Sequence, residues 1–243
     1  MKQAPLIVFI VLLVAIIAVI LVFYFAASPY ISPPNNATST ASGTSSSTPF
    51  GTVDQSISDG TATIHFPSND FGLATNQTQI LVHPYIPPCE SNFDYCIYYI
   101  GNAYQGTNFE SAGIRYEKRA DLTTERLCLQ TPPTGYDSTF TPNATSSADQ
   151  YSTSVFANVG GAAAGHFAAG SLYRLFYRPS NTCYEFETRI GQSAYANYPS
   201  GSIQEFTAAD QAALQSELQQ ILGTLTLPQG VAVSFPAVAQ TNP

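Results

Sequence analysis

The sequence predicts an α+β domain, a sheet with a helix packed on it, carried behind a single transmembrane helix. Three observations predict it. A charge-free apolar run occupies Leu6–Ala27, β-branched and aromatic runs recur between Ala62 and Ile190, and one amphipathic pattern covers Ala208–Leu222.

Leu6–Ala27 holds twenty-two residues with no charge, no amide and one hydroxyl, on Tyr24. As a helix it spans about 33 Å, enough to cross a bilayer's hydrocarbon core. It shows none of the polar face that a helix in a soluble core would need. A cleaved signal peptide is the alternative, but its apolar region runs only about 7–15 residues before a small-x-small site. Here Tyr24 and Phe25 occupy the positions where small residues would be required. Lys2 precedes the run and no Lys or Arg follows until Arg115. The positive-inside rule therefore leaves residues 1–5 in the cytoplasm and puts the rest outside, as a single-pass cell-membrane protein.

Ser28–Pro49 is almost wholly Ser, Thr, Pro, Asn, Ala and Gly. It lacks the apolar surface to offset its ordering entropy, so residues 28–49 read as a disordered tether. Asn36, Asn76 and Asn143 each begin a glycosylation sequon, a frequent chance match in a chain this rich in Ser and Thr. Residues 50–228 have a globular composition and enough length for one sizeable core, and residues 229–243 read as a loose tail. Beyond the anchor, seven basic residues face sixteen acidic ones, a net charge of −9. Such a surface argues against nucleic acid and against docking on anionic lipid; the expected partners are the membrane, through residues 6–27, and an unidentified envelope protein or small ligand.

In chain order, Ala62–Phe66, Gln79–Ile86 and Cys96–Tyr104 read as strands. Thr107–Ala112 reads as a short helical turn leading into a strand at Gly113–Lys118. Asp121–Leu129 fits helix or strand equally, and Pro132–Gln150 reads as loop. Ser154–Val159 is followed by two alternating runs, Ser171–Arg178 and Thr182–Ile190, that form a hairpin. Placing Pro179–Thr182 in its turn pairs Phe176 with Glu185 and Arg174 with Glu187. One face then carries Tyr173, Leu175, Tyr177, Tyr184, Phe186 and Ile190, and turns to the core. The other collects Arg174, Arg178, Glu185, Glu187 and Arg189 as surface ion pairs. In Ala208–Leu222 the leucines recur at helical spacing; Thr207 and Asp210 can form a capping box, and Gly223 can end the helix. That apolar stripe needs a sheet face to cover it.

Cys89, Cys96, Cys128 and Cys183 are even in number and all lie beyond the anchor. Disulfides are the default outside the cytoplasm, whereas zinc would favour close C-x2-C pairs, which are absent. Order and loop length favour Cys89–Cys96 and Cys128–Cys183, with the other pairings open.

Catalytic signatures of the common hydrolase, nucleotide-binding and metalloprotease types are absent. Gly160–His166 is glycine-rich but has no following lysine and no phosphate-loop spacing, so a turn entering the hairpin is the simpler reading. His65, His83 and His166 share no ligand spacing, and no metal or cofactor is predicted. Tyr95, Tyr98, Tyr99 and Tyr104 fit sheet packing, although exposed tyrosines also serve at binding surfaces. Glu185 or Glu187 with Asp94 would be the acids of an envelope hydrolase. A pilin-like subunit is excluded because the apolar run lacks the glutamate that pilin assembly uses.

Thr61–Gly72 resembles the strand, proline, turn and Phe-Gly opening of PsbP-like domains. Gly106–Ala112 is similar to that family's Thr-Asn-Phe-x-x-Ala segment, and the Cys183–Phe186 strand and the final helix to Leu225 resemble its closing half. Over roughly residues 59–227, the resemblance implies an α/β/α sandwich around an antiparallel sheet and a non-enzymatic binding module. The cysteines, the long 121–150 insertion and the anchor depart from the photosynthetic members, so no photosystem role and no functional residue carries over.

Overall fold

The computed structural model describes residues 54–75 and 93–237, all within one compact unit, Ser47–Pro243. The predicted span, the tether, the strand expected at 79–86, His83 and Cys89 lie outside the described residues. Among the described residues, no helix is long and apolar enough to cross a membrane.

The main sheet contains β3 (Phe71–Thr75), β4 (Tyr95–Tyr99), β5 (Phe109–Lys118), β6 (Ala144–Ser147), β7 (Tyr151–Ala157), β8 (Gly161–Ala163), β9 (His166–Tyr177) and β10 (Thr182–Ser193). Their spatial order is β3-β4-β5-β10-β9-β7-β6, with β8 beside β9. Every pairing is antiparallel. A smaller sheet, in order β1-β2-β11-β12, joins β1 (Gln55–Ser58), β2 (Thr63–Phe66), β11 (Thr226–Leu227) and β12 (Val231–Ala232). The helices are α1 (Glu125–Gln130) and α2 (Ala208–Leu222).

The predicted helix is found at its expected bounds. Thr207 accepts from the Asp210 N–H and the Asp210 carboxylate accepts from the Thr207 N–H, completing the capping box. Leu214, Leu218, Ile221 and Leu222 pack with Tyr173, Leu175, Tyr184 and Phe186 in one cluster. Burying each such leucine contributes about 1.5–3 kcal/mol. The opposite sheet face is covered too. There Phe176 and Cys183 pack against Leu122 and Cys128, and Phe156, Val159 and Leu172 pack against Tyr136 and Phe140.

Several expectations are corrected. Residues 109–112 are not a helical turn but the first part of β5, because their backbone pairs with Ile190, Gly191 and Gln192 of β10. The 132–150 segment contains β6, and the ambiguous 121–129 stretch resolves as α1, capped by Thr124. Val231–Ala232 pair with β11, and Val233 is buried, so this part of the expected tail belongs to the core.

The hairpin register differs by two residues from the expected one. Tyr177 pairs with Thr182, and Glu185 with Arg174 rather than Phe176. The cause is the turn, a 3-10 helix at Arg178–Ser180 closed by Asn181 in the left-handed region (φ 51°, ψ 42°), a conformation asparagine tolerates well. An even shift preserves both faces, so the core face is as expected. The charged face is not on the surface: Glu185 is 3% exposed and Glu187 6%. The reason is that Arg115, Arg119, Arg174 and Arg189 close on the two carboxylates, while α1 and the segment after it roof the neighbouring part of that face.

Candidate functional site

β5 and β10 lie side by side at the middle of the sheet, and both alternate charge on the face away from α2. On β5 these positions are Arg115 and Glu117, with Arg119 one step beyond; on β10 they are Glu185, Glu187 and Arg189. Register sets Glu187 opposite Arg115 and Glu185 opposite Glu117. The period of two on each strand therefore builds one two-dimensional charge array.

All four carboxylate oxygens of Glu185 and Glu187 accept from guanidinium groups. Glu185 Oε1 accepts from Arg115 at 2.9 Å, and Oε2 from Arg119 at 2.7 Å and Arg174 at 2.9 Å. Glu187 accepts from Arg115 at 3.1 Å and from Arg189 at 2.8 Å. Arg119 also forms a two-pronged pair with Asp121 at 2.8 and 2.9 Å. The Asp121 hydrogen bond holds the Arg119 guanidinium above its ordinary value, and Arg119 holds Asp121 below its own.

Arg174 is wholly buried. Its Nη1 donates to the carbonyls of Cys128, at 3.1 Å, and Thr131. Its guanidinium lies 5.4 Å from the Phe156 ring centroid. Burial pushes its pKa down, against the pull of Glu185. The Cys128–Cys183 disulfide, Cα atoms 5.6 Å apart, ties α1 to the start of β10 and so fixes the roof over this arginine. This is one of the two expected bridges. Cys96 is also disulfide-bonded, while its expected partner, Cys89, lies outside the described residues.

Next to this network a cleft of about 760 Å³ opens to solvent. Its charged lining is Asp94, Arg115, Glu117, Lys118, Arg119, Asp121, Glu185, Glu187 and Arg189, with Phe93, Tyr136, Val159 and Leu172 supplying apolar wall. The cleft thus gathers the three acids that a hydrolase reading would use, Asp94, Glu185 and Glu187. Asp94 accepts from the Lys118 N–H at 2.8 Å, and the other two are held by arginines. Glu117 differs. It makes no hydrogen bond or ion pair with any described residue, and burial pushes its pKa up, opposed by Arg115.

The remaining sequence candidates resolve into structure. Tyr99 and Tyr104 pack with Phe109 and Phe206, ring centroids 5.0–5.7 Å apart, and Tyr95 stacks on Tyr116 at 5.9 Å. The Gly160 N–H donates to the Tyr136 hydroxyl at 2.9 Å and Gly161–Ala163 form β8, so this segment is not a phosphate loop. His166 contacts Glu110 at 2.5 Å, while the His65 backbone bonds to Thr224. Among the described residues no group of three or more His, Cys, Asp or Glu could hold a metal ion.

Arg115, Glu117 and Arg119 were missed by sequence reasoning, although their alternation along and just beyond β5 was a visible signal; Arg174 and Arg189 were expected on this face. No protein-family model, curated protein or solved structure matches this chain.

Proposed function

We propose that this chain is a membrane-tethered, extracytoplasmic binding domain without catalytic activity, of the PsbP-like α/β/α type, and that the cleft over β5 and β10 is its ligand site. The observation that carries the reading is the engagement of Glu185 and Glu187. A carboxylate already accepting from two or three guanidinium groups cannot approach a substrate without breaking buried pairs. What remains is a preformed, rigid polar surface, the property a binding site needs. Helices on both sheet faces and an antiparallel strand order support the sandwich part of the reading. The apolar run at 6–27 and the one-sided placement of Lys2 support the tether.

The test uses the full chain in detergent micelles. Calorimetry with a panel of small amines, carboxylates and oligosaccharides is expected to find ligands that are recovered chemically unchanged. Turnover of glycoside or ester substrates, abolished by Glu117→Gln, would establish the hydrolase instead. Alkaline carbonate extraction is expected to leave the chain in the membrane fraction. Release of a soluble protein beginning near Ser28 would refute the tether.

A further inference from the structure

Among the described residues, each of the cleft's cations is paired with a carboxylate, whereas Asp94 accepts only the Lys118 N–H and Glu117 accepts from no donor. Arg115, Arg119 and Arg189 are bonded to Glu185, Glu187 and Asp121, and Lys118 pairs with Asp59 at 2.7 Å. Glu117 stands between Arg115 and Arg119 on the same strand face but receives none of their N–H groups. Five acidic residues face four basic ones around the opening, in a chain of net charge −8. Glu117 is half-buried, so its carboxylate can take a cationic partner that no described residue supplies.

Two ligand classes fail on the same geometry. An anion would meet guanidinium groups that are each already paired with a carboxylate. A divalent metal would need several oxygen ligands, and among the described residues Asp94 and Glu117 belong to no group of three or more His, Cys, Asp or Glu that could hold one. A neutral polyol could bond to Glu117 but would leave its charge uncompensated.

On the reading that the cleft is the ligand site, we propose that it binds a small organic amine, with the ammonium group paired to the Glu117 carboxylate and the carbon body against the apolar wall. Phe93, Tyr136 and Leu172 supply that wall, and about 760 Å³ accommodates a short-chain amine or a lysine side chain. Binding has a built-in pH dependence. Burial, with Glu185 and Asp94, raises the Glu117 pKa, while Arg115 and Arg119 oppose the rise. Only the ionised carboxylate attracts an ammonium, so affinity climbs as pH rises through that pKa and then levels off.

The experiment is calorimetric titration of the full chain in detergent with n-butylamine, cadaverine, butyrate and maltose, at several pH values. Both amines are expected to bind, and Glu117→Gln to weaken them at least tenfold and flatten the pH dependence. This variant is nearly isosteric at a half-exposed site, and an unchanged melting temperature will show that it folds. Thr134→Trp, at the exposed rim, is expected to weaken every ligand of the cleft. Amine affinity unaffected by Glu117→Gln, or no amine binding at all, overturns the proposal. If butyrate or maltose binds instead and is lost in Thr134→Trp, the cleft survives as a ligand site and only its preference for cations falls.

Discussion

Arg174 donates from Nε to Glu185 Oε2 at 2.9 Å, with 0% and 3% of their side chains exposed to solvent. Two charges out of water at this depth are stable only together. Glu185→Leu leaves three arginines short of an acceptor and is expected to cost about 3–5 kcal/mol. Arg174→Met combined with Glu185→Leu should cost less than Glu185→Leu alone, because the buried cation leaves with its partner. Urea denaturation of the two variants checks the order, and a double variant worse than the single would show that Arg174 is anchored by the Cys128 and Thr131 carbonyls instead.

The disulfide closes a 55-residue separation between Cys128 and Cys183. On the loop-entropy account this contributes about 4 kcal/mol. Cys128→Ser with Cys183→Ser is expected to lower stability by roughly that amount and to raise proteolysis between residues 121 and 143. Equal protection of that segment in both proteins would mean the roof is held by packing alone.

Leu218 is fully buried at the centre of the α2 stripe. Leu218→Ala should cost about 2–5 kcal/mol, whereas Gln220→Ala, on the exposed side, should change stability by less than about 0.5 kcal/mol. Comparable effects at both positions would place α2 off the sheet.

Asp59 accepts from Lys118 at 2.7 Å and from the Tyr116 hydroxyl. Burial alone would raise its pKa, but these hydrogen bonds outweigh it, and the carboxyl sits below its ordinary value. Stability from this group is therefore present above the unfolded value of about 3.9 and is lost as pH falls through the lower folded value. Asp59→Asn should reduce stability at neutral pH and flatten the acid limb of the stability curve. Parallel curves for the two proteins below pH 4 would contradict the assignment.

Gly170 sits inside β9 where a Cβ would come within 2.0 Å of the Thr188 carbonyl oxygen. Gly170→Ala must push β9 away from β10 and should cost about 3 kcal/mol. A variant as stable as the parent would show that the two strands can separate there without loss.

Much of the fold was legible because its signals are local. The alternation of Tyr173, Leu175 and Tyr177 with Arg174 and Phe176 assigned the two faces of β9, and Thr207 with Asp210 marked the start of α2. The misreadings share a non-local cause. Phe109–Ala112 become strand through hydrogen bonds to residues about eighty positions later in the chain. The register slipped because Asn181 takes a left-handed conformation that lengthens nothing yet moves the turn back. The burial of Glu185 and Glu187 was invisible because the arginines that enclose them, Arg115, Arg119 and Arg174, come from elsewhere in the chain. Alternating charges on β5 were equally consistent with a solvated face until that enclosure was known.

The strand order also dictates when the domain can be completed. β10 lies between β5 and β9, so the sheet has no centre until residues 182–193 have been synthesised. Before then β5 is a long unpaired edge, the kind of backbone that invites association with other chains. Arg115 and Glu117 on that edge, with Arg119 just beyond it, are the kind of charges that discourage mispairing with an uncharged strand. The charges that later face Glu185 and Glu187 thus disfavour mispairing of this edge before β10 arrives.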